Sequence, residues 1–247
     1  MAEQQAEILP SAQAAQPEQP PAAPRRAPRR AARAAQPETA KEDIFISGST
    51  LLFNKYSYDV EVFDPSLRNY INLKPAVFPN SYGRKSQNQF HKSNLNIVER
   101  LENSLMRGGT GGKVGGRVIR TKGRLQGKKL KAIKIVSMAF DIINRQTGKN
   151  PVQVFIMALE NSAPIEDTTR VRYGGIVSNV AVDISASRRL DVALRNIGMA
   201  TVTSAFRNKR TMEQALASEL ILAANNDVNS YAIKRKNETE RMARSAK

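Results

Sequence analysis

Between Pro164 and Asn196 the side-chain periodicity of this chain changes, and that change restricts its possible folds more than any other feature. PIEDTTRVRYGGIVSNVAVDIS alternates in steps of two about Gly174-Gly175, the pattern of two antiparallel strands joined by a tight turn. A two-residue turn sets Tyr173 opposite Ile176 and sorts the ribbon into two faces. Ile165, Thr169, Val171, Tyr173, Ile176, Val180, Val182 and Ile184 fall on an apolar face. Thr168, Arg170, Arg172, Asn179 and Asp183 fall on the other, which is basic toward the tip. A lone hairpin is marginal in water, so this ribbon, predicted over 165–185, needs a supporting body or a partner. At Ser187 or its neighbour the period turns helical, with Arg188 and Arg189 in the first turn.

The supporting body is predicted from stripes of period 3.6. Ser93 or Asn94 can cap a first helix with Leu95, Val98, Leu101 and Leu105 on one side, ending at Arg107-Gly108-Gly109. A second helix runs from about Lys128 to Thr147, burying Leu130, Ile133, Val136, Phe140 and Ile143, with Gly148 as its stop. Asn150 caps a third, with Pro151 at its first position and Val152, Phe155, Ile156 and Leu159 inward. After the hairpin come a helix to about Asn208, a helix opened by the capping box Thr211 to Gln214, and a last one from about Tyr231. Lys234 with Glu238 and Lys236 with Glu240 are spaced as helical ion pairs on that last helix. Met138, Met157, Met199 and Met212 read as core. The expected fold class is therefore mainly α: a bundle of about six helices, a protruding two-stranded β-hairpin and an irregular N-terminal extension.

Upstream of this body the composition shifts twice. Residues 1–43 hold seven of the twelve prolines and no aromatic residue, so they cannot bury enough surface to fold alone and are predicted to be a disordered tail. The tail is charge-balanced, although Pro24 to Arg33 holds five arginines without an acid. Residues 44–91, the start of a domain predicted over 44–247, are rich in aromatics and cut by Pro65, Pro75 and Pro79. They read as a wrapping segment, with alternation at Tyr56, Tyr58, Val60 and Val62 suggesting a short strand, followed by a basic loop.

The formal charge of +17 thus belongs to residues 44–247 and favours a polyanionic partner. It concentrates in RGGTGGKVGGRVIRTKGRLQGKKLKAIK, residues 107–134, which contains ten Lys or Arg, eight glycines and no acid. Glycine lets backbone N–H groups approach an anion, and Lys113, Arg117, Arg120, Lys122, Arg124, Lys128, Lys129 and Lys131 would neutralise phosphates around them. Lys128, Lys131 and Lys134 carry that charge onto one side of the second helix. Neither G-x-x-x-x-G-K-[ST] nor G-x-G-x-x-G occurs, so a nucleotide-binding loop is not predicted.

Other chemistries are excluded by residue type. With no cysteine and only His91, thiolate zinc sites, disulfides and His-paired metal sites are ruled out, and no cofactor, metal or small-molecule substrate is expected. The acids are scattered, with Glu166-Asp167 and Asp59, Glu61 and Asp64 the only close groups, so an enzyme is not expected. No run approaches the roughly 18–20 apolar residues of a spanning helix, the start lacks the pattern of a signal peptide, and the paired arginines have no apolar stretch behind them.

Taken in order, the segments LLFNKYSYDV, YINLKPAVFP, NIVERLENSLMRGG, GKKLKAIKIVSMAFDIINRQTGKNPVQVFIMALENSAPIEDTTRVRYGG, VAVDISASRRLDVALRN and LASELILAANNDVNSYAIKRKNETERMARS closely resemble the small-subunit ribosomal protein S-seven family in its archaeal and eukaryotic type. The resemblance covers most of residues 50–247 and implies a cytoplasmic, ribosome-bound structural protein of the 30S head. Such a protein binds the 3′ major domain of 16S rRNA and nucleates head assembly. It also implies that Arg84, Lys85, Lys92, Lys128, Lys129, Arg188 and Arg189 touch rRNA. The hairpin, with Arg170, Arg172, Tyr173, Gly174, Gly175 and Asn179, would reach exit-site tRNA and mRNA. Neighbouring small-subunit proteins of the S-nine and S-eleven families are implied as partners, and a membrane is not. The residues alone leave open a free nucleic-acid-binding regulatory protein, or a membrane-surface protein, although no basic amphipathic helix with exposed large apolar residues stands out.

Overall fold

The computed structural model describes residues 50–84, 86–107, 109, 118–120 and 124–246. The chain divides into two units, Met1–Ile46 and Ser47–Lys247, and the first lies outside the described residues. The predicted tail over 1–43, with its arginine run, therefore lies outside them too.

Among the described residues of the second unit are seven α-helices and one hairpin: α1 Pro65–Arg68, α2 Ile97–Met106, α3 Lys129–Thr147, α4 Pro151–Ser162, β1 Glu166–Tyr173, β2 Ile176–Asp183, α5 Ala186–Ala205, α6 Met212–Ala224 and α7 Tyr231–Ser245. Six of the helices are those expected from periodicity, and α1 is a four-residue addition started by Pro65 behind an Asp64 cap. The caps explain most boundaries. Asn150 Oδ1 accepts the Val152 N–H at 3.1 Å, the Thr211–Gln214 capping box opens α6, and Gly148 ends α3 at φ 65°. α2 starts later than a cap at Ser93 or Asn94 predicts, with Asn96 as its cap. His91–Asn94 form a 3-10 turn, and the helix opens beyond it because Asn96 Oδ1 takes the Val98 N–H and the Asn72 carbonyl takes that of Ile97.

At the centre stands α6, packed against α3, α4, α5 and α7. Its MEQALASELILAA sequence is apolar around most of its circumference, and such a helix is stable only when surrounded. Its one buried acid, Glu219, accepts from Ser230 Oγ at 2.7 Å and from the Ala232 N–H at 3.0 Å, so that it secures the start of α7. Gly198 of α5 lets α2 come close: an added Cβ would meet Ser104 Oγ at 2.7 Å, and that hydroxyl donates to the Leu194 carbonyl at 2.9 Å.

The segment ahead of α2 forms no strand from Tyr56 to Val62. Tyr58, Val60 and Val62 do turn alternately toward the core. Their neighbour is α4, however, whose backbone is already bonded within the helix. Side chains two helical turns apart replace a partner strand: Gln153 exchanges bonds with the Glu61 N–H and carbonyl, at 2.9 and 3.0 Å, and Glu160 Oε1 accepts from the Phe63 and Asp64 N–H groups.

Three further expectations are corrected. Leu130 is 81% exposed, because it lies in the first turn of α3 and the buried face of that helix centres on Ala132, Val136 and Ala139, with Ile133 at its edge. The four methionines are half-buried at the margin of the core. On α7, Glu238 pairs with Arg235 at 2.8 Å, Lys236 donates to the Asn161 carbonyl and Glu240 accepts from the Ile165 N–H. Tertiary acceptors and a nearer cation displace the i, i+4 pairs. That Glu240 bond also fastens the base of the hairpin to α7.

The hairpin has the expected register, from Glu166 opposite Asp183 to Tyr173 opposite Ile176. Gly174 and Gly175 have φ of 54° and 85°, the positive pair that a two-residue turn of matching twist demands. Both faces of the outer ribbon are open to solvent, and Tyr173 is 88% exposed.

Candidate nucleic-acid interface

The basic loop at 80–92, α2, the start of α3 and the first turns of α5 meet around an open cleft of about 920 Å³. Two acids hold these elements together. Glu99 of α2, buried, accepts from the Ser81 N–H and Oγ at 2.8 Å each and from Lys129 Nζ, which joins loop, α2 and α3. Asp191 of α5 pairs with Lys92 at 3.0 Å and with buried Arg100 at 2.9 Å, which joins loop and α2 to α5. Burial acts to raise the Asp191 carboxyl pKa, but the hydrogen bonds and charges of Lys92 and Arg100 outweigh it and hold it below the usual range.

Around this frame stand the cations that remain available. Arg107, Arg188 and Arg195 line the cleft and are exposed. Arg188 is 67% exposed and only 3.6 Å from Asp167, while Arg107 and Arg195 have no acidic partner among the described residues. A cleft with cations on its walls and acids committed to its frame attracts a polyanion.

Of the residues singled out in the sequence, the structure brings Lys92, Lys129 and Arg188 into the cleft. Arg84 is exposed in the adjoining loop; Lys128, at the cap of α3, and Lys131 are exposed beside the entrance to that helix; Arg120 and Arg124 are exposed ahead of it. Lys85, Lys113, Arg117 and Lys122 lie outside the described residues. Arg189 is turned away. Its side chain is 11% exposed and donates to Asp64 at 2.9 Å and to Ser66 Oγ, tying α1 to α5. One helical step rotates a side chain by about 100°, so adjacent arginines cannot share a face, and Arg189 leaves the candidate set. On the hairpin, Arg170 opposite Asn179 and Arg172 opposite Val177 are exposed, with Tyr173, Gly174 and Gly175 at the tip.

Sequence reading missed Arg195, and it counted Arg107 in the basic window over 107–134 without singling it out as a site residue. Spacing held the signal: Arg188, Asp191 and Arg195 are at i, i+3 and i+7, and Glu99, Asn103 and Arg107 at i, i+4 and i+8, each set on one helical face.

Beneath the cleft, Glu102 is fully buried and neither carboxyl oxygen has a hydrogen-bond partner. Burial pushes its pKa from 4.5 up to about 8, against the nearby charge of Lys129 and with that of Glu99. Folding at neutral pH therefore takes up a proton. Stability contributed by the neutral acid is complete below about 4.5 and declines as pH rises through 8, by up to about 1.4 kcal/mol per unit. Glu102→Gln, which cannot ionise, should match the parent near pH 4 and exceed it progressively up to pH 8 in urea denaturation. Parallel stability curves would show that Glu102 keeps its charge in the fold.

Among the described residues no group of His, Cys, Asp or Glu could hold a metal ion, and no helix is long and apolar enough to cross a membrane. A helical body carrying a free ribbon and a cation-walled cleft braced by its own acids is the build of a protein held against folded nucleic acid. The family model for Ribosomal protein S7p/S5e matches residues 67–247. Small ribosomal subunit protein uS7 of Cenarchaeum symbiosum (strain A), an archaeal relative, is 46% identical over 198 residues, which cover 80% of this chain and 96% of that protein. The chain belongs to the Ribosomal protein S7p/S5e family. It is accordingly a structural ribosomal protein and not an enzyme.

Proposed function

We propose that this chain, a structural constituent of the small ribosomal subunit, binds the 3′ major domain of 16S rRNA directly through the cleft and nucleates assembly of the head. The observation that carries this reading is the convergence of Lys92, Arg107, Lys129, Arg188 and Arg195 from four elements on one cleft. The exposed Arg84, Arg120, Arg124, Lys128 and Lys131 add further rRNA contacts in this reading, as do Lys85, Lys113, Arg117 and Lys122 on their sequence alone. Structured RNA is read mainly by shape and phosphate position, for which cations fixed on a rigid frame are suited. The hairpin, free over its outer half, reaches exit-site tRNA and mRNA with Arg170, Arg172, Tyr173 and Asn179, and proteins of the S-nine and S-eleven families are neighbours in the head.

The two halves of this reading separate in one experiment. Residues 171–178 are replaced by Gly-Gly, joining Arg170 to Asn179, which already face each other across the ribbon. The shortened chain should stay with the small subunit through high-salt washing, while exit-site tRNA occupancy falls several-fold. Loss of the protein from washed subunits would move the rRNA anchor to the hairpin; full tRNA occupancy would remove the hairpin's role.

A further inference from the structure

We infer that Tyr82 and Phe90, in the loop at the mouth of the cleft, are stacking platforms for unpaired bases of the RNA that the cleft holds. The inference rests on the proposed rRNA reading and adds a ligand class that charge alone does not specify. Tyr82 is 79% exposed and Phe90 84%. Both have left-handed backbone, at φ 51° and 56°, with Gly83 between them at 68°. A bulky side chain in that region is strained, and an exposed ring regains nothing from the core. Neither ring has an aromatic or cationic stacking partner among the described residues.

The loop holds the rings out in spite of this cost. Asn80 Oδ1 accepts the Tyr82 N–H at 3.0 Å, Ser81 is bonded twice to buried Glu99, and the Phe90 carbonyl accepts from the Ser93 N–H at 3.0 Å and Oγ at 2.7 Å. Tyr82 lines the cleft itself, and Phe90 directly precedes His91 and Lys92, which line it as well. Base faces beside a phosphate track offer the complementary chemistry, and only unstacked bases are accessible, because the A-form major groove is too deep and narrow for side chains. A protein partner would call for a contiguous apolar patch. Here Asn80, Ser81, Ser86, Gln87, Asn88 and Gln89 surround the rings in sequence.

The test uses the full chain, a transcript of the 3′ major domain, and binding measured across a salt series. Asparagine tolerates left-handed backbone, so the double variant Tyr82→Asn, Phe90→Asn removes both rings without disturbing the turns. Its melting temperature should hold or rise while affinity falls by about five- to 150-fold per ring, with an unchanged salt slope. Tyr82→Phe with Phe90→Tyr should stay within about twofold of the parent, since a π-face is all that stacking needs. Parental affinity in the asparagine variant overturns the inference and leaves the rings to a protein neighbour. Weaker binding with a shallower salt slope overturns it as well, because the loop would then merely position cations. A parent chain that does not bind the transcript fails one step earlier, at the rRNA reading.

Discussion

Replacing Arg107, Arg188 and Arg195 together by glutamine should lower the affinity of the chain for a 3′ major domain transcript by at least about a hundredfold at moderate salt, and should flatten the dependence of log K on log salt. Each phosphate neutralised by a protein cation releases condensed counterions, contributing roughly 0.7 to 0.9 to the slope, so three lost contacts remove about two to three. These residues are chosen because the fold leaves them exposed. Lys92 and Lys129 line the same cleft but are engaged by Asp191 and Glu99, and their removal would also loosen the frame. All three side chains are exposed and only Arg188 has an acidic partner among the described residues, at 3.6 Å, so melting should change little. The contrast is Arg189→Gln. It should leave the salt slope untouched and destabilise the fold, since its guanidinium ties α1 to α5 through Asp64. An unchanged slope in the triple variant would place the rRNA contact elsewhere on the basic surface.

Phe140→Ala should cost about 3–5 kcal/mol of stability, enough to lower the melting temperature by roughly 10 °C in a domain of this size. Phe140 is fully buried on α3, and three aromatic rings surround it: Phe53 at 6.3 Å, Tyr56 at 6.3 Å and Phe155 of α4 at 6.2 Å. Two of these belong to the wrapping segment, so one side chain both fills the core and fastens the segment that precedes the cleft loop. The next residue adds to this: Asp141 accepts from Tyr56 Oη at 2.5 Å and pairs with Lys55 at 2.9 Å. Truncation should therefore expose residues 50–64 to proteolysis before the helices unfold. Phe140→Leu, which retains most of the volume, should lose less than half as much. A loss for the alanine variant below about 1 kcal/mol would mean that the rings close over the void.

Much of this was legible in residue order. The hairpin register followed from Gly174-Gly175 and the alternation beside it, because a two-residue turn leaves one pairing. Asn150-Pro151, Thr211 to Gln214 and Gly148 marked helix ends through short-range bonds that a sequence displays. Long-range substitutions for such bonds were not legible. Gln153 and Glu160 stand in for a β-partner of the 57–64 segment across some ninety positions, and nothing in its alternation distinguishes a strand from an extended chain on a helix. The α7 pairs failed likewise, since Lys236 and Glu240 found partners 75 positions away.

The candidate site divides along the same line. Sequence alone determined the sign and amount of charge, the family, the ribbon and the helices that carry them, since these depend on residue type and on spacings of a few positions. Only the tertiary structure decided which cations are free. Arg188 and Arg189 are neighbours in sequence, yet one lines the cleft and the other is buried against Asp64. Arg195 joins Arg107 and Lys92 because α5 packs on α2 where Gly198 permits it. A cation's availability depends on how far the fold exposes it and how closely it holds it to an acid. Arg188 stays 67% exposed with Asp167 at 3.6 Å, whereas Arg189 is 11% exposed with Asp64 at 2.9 Å. Exposure and distance are both fixed by packing between elements remote in the chain.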